Sequence, residues 1–81
     1  MNLYLISQTE ITHYDTFSDA VVAAETEEEA RTIHPDGNQR LPFEDSYPTW
    51  TKDPSKVKIK LIGKAVDGAP VGVICASFNA G

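Results

Sequence analysis

The chain has 81 residues, of which 41% are hydrophobic and 23% are charged, and its net charge at pH 7 is −5. This length supports one domain with a modest core, and the composition excludes a chain that is disordered throughout. The acidic balance argues against nucleic acid as the default partner. The start, MNLYLISQ, has neither a basic segment nor a long apolar stretch, so we expect no signal peptide and no membrane span.

The single cysteine, Cys75, excludes an internal disulfide and is typical of a reducing compartment. The sequence therefore predicts a cytoplasmic protein. Because Cys75 lies within an apolar run, we also expect its thiol to be buried and unreactive.

The first predicted strand runs from Asn2 to Gln8, with Leu3 and Leu5 on one face and Tyr4 and Ile6 on the other. The polar segment that follows it is typical of a turn. We expect this turn to join the first strand to an antiparallel second strand.

The segment from Asp19 to Ala24 is a predicted second strand, and its continuous apolar run from Ala20 to Ala24 favours a strand that is covered on both faces. Thr26 and Glu29 then have the spacing of a capping box and predict the start of a helix. Pro35 ends this helix after about two turns. A helix of that length is unstable alone, so it must pack on a sheet.

The second half of the chain begins with a long irregular loop, residues 36–56, which is rich in proline and aromatic residues. Val57 to Ile62 alternates apolar residues with lysines and predicts a third strand. Asp67-Gly68 is a turn signal, and Val71 to Phe78 is a fourth apolar run. These features predict a second hairpin.

The predicted fold is therefore α+β, with the order β-β-α-β-β in a single domain, residues 1–81. We expect a four-stranded, mainly antiparallel sheet with one short helix on one face. One helix cannot cover both faces, and Tyr4 and Ile6 are expected on the uncovered one. Either the long loop or a second subunit would cover that face, and we predict a homodimer.

The sequence contains no recognisable catalytic set. Cys75 lies in the middle of a strand, where nothing activates a thiol. His13, Asp15, His34 and Asp36 lack the paired spacing of a metal site. We therefore predict a protein that is not an enzyme and that has no metal or cofactor.

Aromatic residues of the loop, together with the first turn, form the favoured binding site. Tyrosine and tryptophan are the side chains that most often anchor interfaces. The predicted binding residues are Tyr14, Asp15, Phe43, Tyr47 and Trp50. The alternative is that the aromatic side chains of the loop only cover the bare face of the sheet.

Two charged groups are also candidates for binding. Glu25, Glu27 and Glu28 form an acidic patch at the start of the helix, where they either face solvent or imitate nucleic acid toward a basic partner. Lysines flank the third strand and, with Trp50, could bind single-stranded nucleic acid; they could equally keep a sheet edge soluble. The lysines are Lys52, Lys56, Lys58, Lys60 and Lys64.

The chain resembles a group of small, uncharacterised accessory proteins of bacteriophages and prophages. The resemblance lies in YLISQ (Tyr4 to Gln8), YDT (Tyr14 to Thr16), the segment from Ala20 to Pro35, and ASFNAG (Ala76 to Gly81). It implies a phage accessory origin and a location in the cytoplasm of a bacterial host cell. It implies no catalytic residues.

Three functions follow as hypotheses. The favoured one is a non-enzymatic protein that binds and modulates or inhibits a bacterial protein, such as a host regulator or a defence component. One alternative is a protein that binds a nucleotide or another small signalling molecule between Tyr14, Tyr47 and Trp50. The other is a nucleic-acid-binding module that uses the lysine face of the third strand.

Overall fold

A computed structural model of the protein describes residues 1–12, 14–37 and 49–79. All four strands belong to one antiparallel sheet, so the predicted α+β fold with a single short α-helix is confirmed. The elements in chain order are β1 (Asn2–Ser7), β2 (Thr16–Ala24), α1 (Glu27–Arg31), a short 3-10 helix (Pro54–Lys56), β3 (Lys58–Lys64) and β4 (Gly72–Asn79).

The strands lie in the order β3-β1-β2-β4, with the predicted hairpin of β1 and β2 at the centre. The predicted hairpin of β3 and β4 is wrong, because these strands form opposite edges of the sheet. The connection between them passes the ends of β1 and β2, roughly 14 Å across three strand spacings. Ala65 N donates to Met1 O along this path (3.0 Å), and Gly68, with φ of 85°, allows the turn that follows.

The core lies between α1 and one face of the sheet. It is built from small and branched residues of β1 and β2, the helix, Trp50 and the residue before β3. The buried residues of this cluster are Tyr4, Ile6, Ala20, Val22, Ala24, Ala30, Ile33, Trp50 and Val57.

The helix covers the face that carries Tyr4 and Ile6, so the prediction that these two side chains lie on the uncovered face is wrong. In the sheet, Tyr4 is opposite Val22 and Ile6 is opposite Ala20. The small residues of β2 on this face leave space for the helix and for the indole of Trp50. Close packing of large against small side chains therefore decides which face is covered.

The helix start follows the predicted capping pattern with one difference. Thr26 Oγ1 accepts a hydrogen bond from Glu29 N (3.1 Å), as expected. The Glu29 carboxylate accepts from Glu25 N (2.8 Å), one residue before the position that a capping box predicts. The helix ends at Arg31, where the Thr32 hydroxyl donates to Glu29 O (2.7 Å).

The opposite side of the sheet, the open face, carries Leu5, Asp19, Val21 and Cys75. Cys75 is exposed, so the prediction of a buried thiol is wrong. The reason is the strand order: β4 is an edge strand, and no second layer covers this face in the described part of the chain.

Candidate functional site

The best candidate for a binding site is the end of the sheet where β2 begins and β4 ends. Thr16 is opposite Asn79 in the ladder, and Phe17 is opposite Phe78. The rings of Phe17 and Phe78 pack with their centroids 4.8 Å apart at an angle of 63°. We call this region, with Tyr14 and Asp15 of the preceding turn, the aromatic end.

The turn that carries Tyr14 is held in an unusual conformation. Asp15 has a φ of 61°, which few residues other than glycine adopt, although aspartate tolerates it better than most. Its backbone N–H donates to Asn79 O (2.5 Å), which ties the turn to the last residue of β4. Strained backbone of this kind tends to occur at functional sites.

Two aromatic side chains are accessible at the aromatic end. Tyr14 is 70% exposed, and Phe78 is 45% exposed. Each of these two side chains offers exposed aromatic contact area, which is a feature of interface anchors. The sequence identified Tyr14 and Asp15, whereas it gave Phe78 no role beyond a strand end.

The aromatic end stands on a buried polar network that the sequence analysis missed. The side-chain amide of Gln8 donates to Ile11 O (2.6 Å) and Phe17 O (3.0 Å). Its carbonyl oxygen accepts from Glu10 N and Ile11 N, both at 2.8 Å. This buried amide makes four bonds and so fixes the segment that leads to Tyr14. The sequence does contain a signal for this network: Gln8 continues the alternation of Tyr4 and Ile6, so its polar side chain lies on the face that is buried.

Phe17 connects the aromatic end to the residues after the helix. Its N–H donates to Thr49 O (2.8 Å), and its ring meets the buried imidazole of His34 edge-on at 6.2 Å. His34 Nδ1 lies 3.1 Å from Asp36 N and 3.2 Å from Asp36 Oδ1. Phe17 therefore links the aromatic end to the backbone of Thr49 and to the buried side chain of His34.

Trp50 occupies a different place from an exposed anchor. It is 1% exposed and belongs to the core that Tyr4, Ile6 and the helix form, so it neither faces solvent nor covers the open face. Its Nε1 atom is buried, and no hydrogen-bond partner for it is found in the described part of the chain. Phe43 and Tyr47 lie outside the described residues. The structure thus brings Tyr14 and Asp15 together but keeps the Trp50 ring inside.

The acidic patch lies away from the aromatic end. Glu25, Glu27 and Glu28 are exposed, and they follow the last residue of β2, Ala24. The aromatic end lies at the first residue of the same nine-residue strand, Thr16. At about 3.4 Å per residue these two ends are roughly 27 Å apart. A small partner would contact one of these surfaces at a time.

The lysines of β3 form a third surface. Lys58, Lys60 and Lys64 are all exposed along this edge strand. The aromatic residue expected to assist them, Trp50, is buried and offers no ring for base stacking. The hypothesis of nucleic-acid binding therefore depends on the lysines alone.

One carboxylate has a clearly altered acidity, and its cause is structural. Asp53 Oδ1 accepts from the Ser55 hydroxyl (2.7 Å) and from Ser55 N (3.0 Å). These bonds, together with nearby Lys56, lower the pKa of Asp53 below its ordinary value of 3.8. The residue caps the 3-10 helix and is exposed, so it is better explained as a turn residue than as an acid or base.

The chemistry of the described residues offers little beyond binding. In residues 1–12, 14–37 and 49–79, no three His, Cys, Asp or Glu side chains lie close enough to hold a metal ion. A shallow groove of about 270 Å³ on the open face is lined by Leu5, Asp19, Val21 and Cys75, among others. Neither helix in this part of the chain has the length and apolar content that crossing a bilayer requires.

Comparison with models of known protein families, with curated proteins and with solved structures gives no match to this chain. The resemblance to phage accessory proteins therefore stays a hypothesis.

Proposed function

We propose that this protein is a non-enzymatic accessory protein that binds and modulates a bacterial protein, and that the aromatic end is its contact surface. The observation that carries the proposal is the exposure of Tyr14, next to the positive-φ residue Asp15, and of Phe78, next to the residue Asn79 that accepts a hydrogen bond from Asp15 N. Large exposed aromatic side chains on a rigid base are what the energetic centre of an interface requires.

The rigidity of the base supports the proposal. Gln8 and the Phe17–Phe78 pair hold the turn and the strand end in place before any partner arrives. Binding therefore costs little additional ordering of these groups, which favours affinity for a given contact area. The cytoplasm of a bacterial host cell is the location that suits this function.

The test is capture of a partner from a bacterial lysate with the purified protein as bait. Tyr14→Ala removes the most exposed part of the aromatic end and leaves the core unchanged. Val66→Ala is the matched control, because Val66 is 80% exposed and lies after β3, at the opposite end of the sheet. We expect a stoichiometric partner that Tyr14→Ala loses and Val66→Ala retains. A partner retained by both variants would contradict the assignment of the surface.

The acidic patch is tested separately in the same assay by reversing Glu27 and Glu28 to lysine. If the patch imitates nucleic acid toward a basic partner, this double variant loses the partner while Tyr14→Ala retains it. That result would move the contact surface to the other end of β2.

The alternative of a small signalling molecule is decided by mass spectrometry of the material released when the captured protein is denatured. A nucleotide or metabolite released in a one-to-one ratio, with no protein partner, would overturn the proposal. The favoured function predicts a protein partner and no such molecule.

A further inference from the structure

The two edge strands of the sheet differ in the way they are protected. β3 carries three lysines, Lys58, Lys60 and Lys64, which is a common means of preventing an edge from pairing with another strand. β4, with the sequence GVICASFN, carries no charged residue. In the described part of the chain no strand pairs with its outer side. Among the described residues, β4 is therefore the edge strand that lacks this protection.

Side-chain exposure strengthens the contrast. Every residue from Ile74 to Asn79 is exposed, and Ile74 itself is 55% exposed. An uncharged edge with exposed apolar side chains is a site for the addition of another strand. The chain as a whole carries a net charge of −5, so most surfaces of two copies would repel each other. Two copies can meet at β4 without bringing like charges together, because β4 has no charged side chain.

We propose that a second copy of this chain pairs with β4 through its own β4, antiparallel across a two-fold axis. The resulting dimer has one continuous sheet of eight strands. The ladder defines the paired segment. β4 has one extra residue, Ile74, where Val21 and Val22 are opposite Cys75 and Val73, and β2 has one extra residue, Ser18, between the pairs Phe17–Phe78 and Asp19–Ser77. On β4 itself, the four residues from Cys75 to Phe78 are successive ladder partners, and they define the outer edge that pairs, with Ile74 beside it.

Two-fold symmetry makes this pairing self-complementary. In an antiparallel pair about a two-fold axis, each backbone donor of one copy meets an acceptor of the other, and the reverse contact follows automatically. The same pairing through β3 would bring lysines of both copies together, which is unfavourable. The edge contact shares Phe78 with the aromatic end, whereas Tyr14 belongs to the preceding turn and not to the paired strand.

The test compares self-association of matched edge variants by sedimentation equilibrium. Ile74→Lys places a charge on the β4 edge, and Leu61→Lys places one on the β3 edge, where Leu61 is 58% exposed. Because each substitution occurs twice in the dimer, we expect Ile74→Lys to weaken dimerisation roughly tenfold or more, while Leu61→Lys changes it less than about twofold. Circular dichroism confirms that both variants fold.

A second variant of β4 provides the same test if Ile74→Lys does not fold. Ser77→Lys charges the same edge at an exposed polar position and is expected to weaken the dimer like Ile74→Lys. A monomeric wild-type protein at high micromolar concentration would overturn the proposal, and so would equal effects of the β3 and β4 variants. Tyr14→Ala should leave the dimer intact, so failure of this proposal and failure of the aromatic end are distinguishable.

Discussion

Arg31, the last residue of the helix, binds the backbone carbonyl of Val57 with an Nη1–O distance of 2.8 Å. The same nitrogen donates to Pro54 O at 3.0 Å. One guanidinium therefore joins the helix to both ends of the 3-10 helix that leads into β3. No local sequence pattern links Arg31 to these carbonyls, because 23 and 26 residues separate the partners.

Replacing Arg31 should loosen this connection. Arg31→Ala leaves two partly buried carbonyl oxygens without their charged donor, and we expect a loss of about 2 kcal/mol in the free energy of unfolding. The measurement is urea denaturation followed by circular dichroism. Lys56→Ala is the control, because the Lys56–Glu10 pair is exposed and 4.0 Å long, so its loss should cost less than about 0.5 kcal/mol. Equal losses in both variants would contradict the role of Arg31.

Trp50 should behave as a core residue. Trp50→Ala removes a fully buried indole, and we expect a loss of about 3–5 kcal/mol, which is a large part of the stability of a small domain. Trp50→Phe should cost about 1.5 kcal/mol, because it keeps an aromatic ring and removes an Nε1–H that has no partner in the described part of the chain.

Thermal and urea unfolding of the two Trp50 variants measures the difference. If Trp50→Phe were as destabilising as Trp50→Ala, the Nε1–H would have a hydrogen-bond role that outweighs ring packing. Loss of partner binding by Trp50→Phe without loss of stability would restore Trp50 as a contact residue.

Asp53 predicts a dependence of stability on pH. Its pKa is lower in the folded protein than its ordinary value of 3.8, so the folded state favours the ionised carboxylate. The resulting stabilisation is fully present above the ordinary value and is lost as the pH falls through the lower, folded value. Asp53→Ala should therefore differ most from the wild type at neutral pH, and the difference should shrink in acid.

The measurement for Asp53 is the urea midpoint of both proteins at several pH values. Ser55→Ala is the matched control, because it removes the side-chain donor that holds the carboxylate and should reduce the same pH dependence. A difference between Asp53→Ala and the wild type that stays constant down to pH 2 would contradict the assignment.

The central hairpin and the helix start were predictable because their signals are local. Alternation defines β1, and Thr26 with Glu29 marks the start of α1 within four residues. The positions of β3 and β4 were not predictable in the same way. Both strands are partly apolar and both pair in the antiparallel direction. Their local patterns would be satisfied equally well if they paired with each other or with the two sides of the central hairpin.

The same contrast between local signals and non-local pairing applies to the residues of the candidate site. Tyr14 and Asp15 stand out locally as a turn, whereas Phe78 joins them only because β4 pairs with β2. The exposure of Cys75 likewise depends on the strand order, since it follows from the position of β4 at the edge of the sheet. Residues whose environment depends on non-local pairing were those that the sequence alone misplaced.

The order β3-β1-β2-β4 also determines how the sheet can open. β4 is held by one ladder only, so it can detach while the three remaining strands stay paired. The backbone amides of the central strands become accessible to solvent only after an edge strand has detached. Amide hydrogens of Val21 and Leu5 should therefore exchange with solvent most slowly, and a strand that pairs with β4 would slow exchange inward from that side.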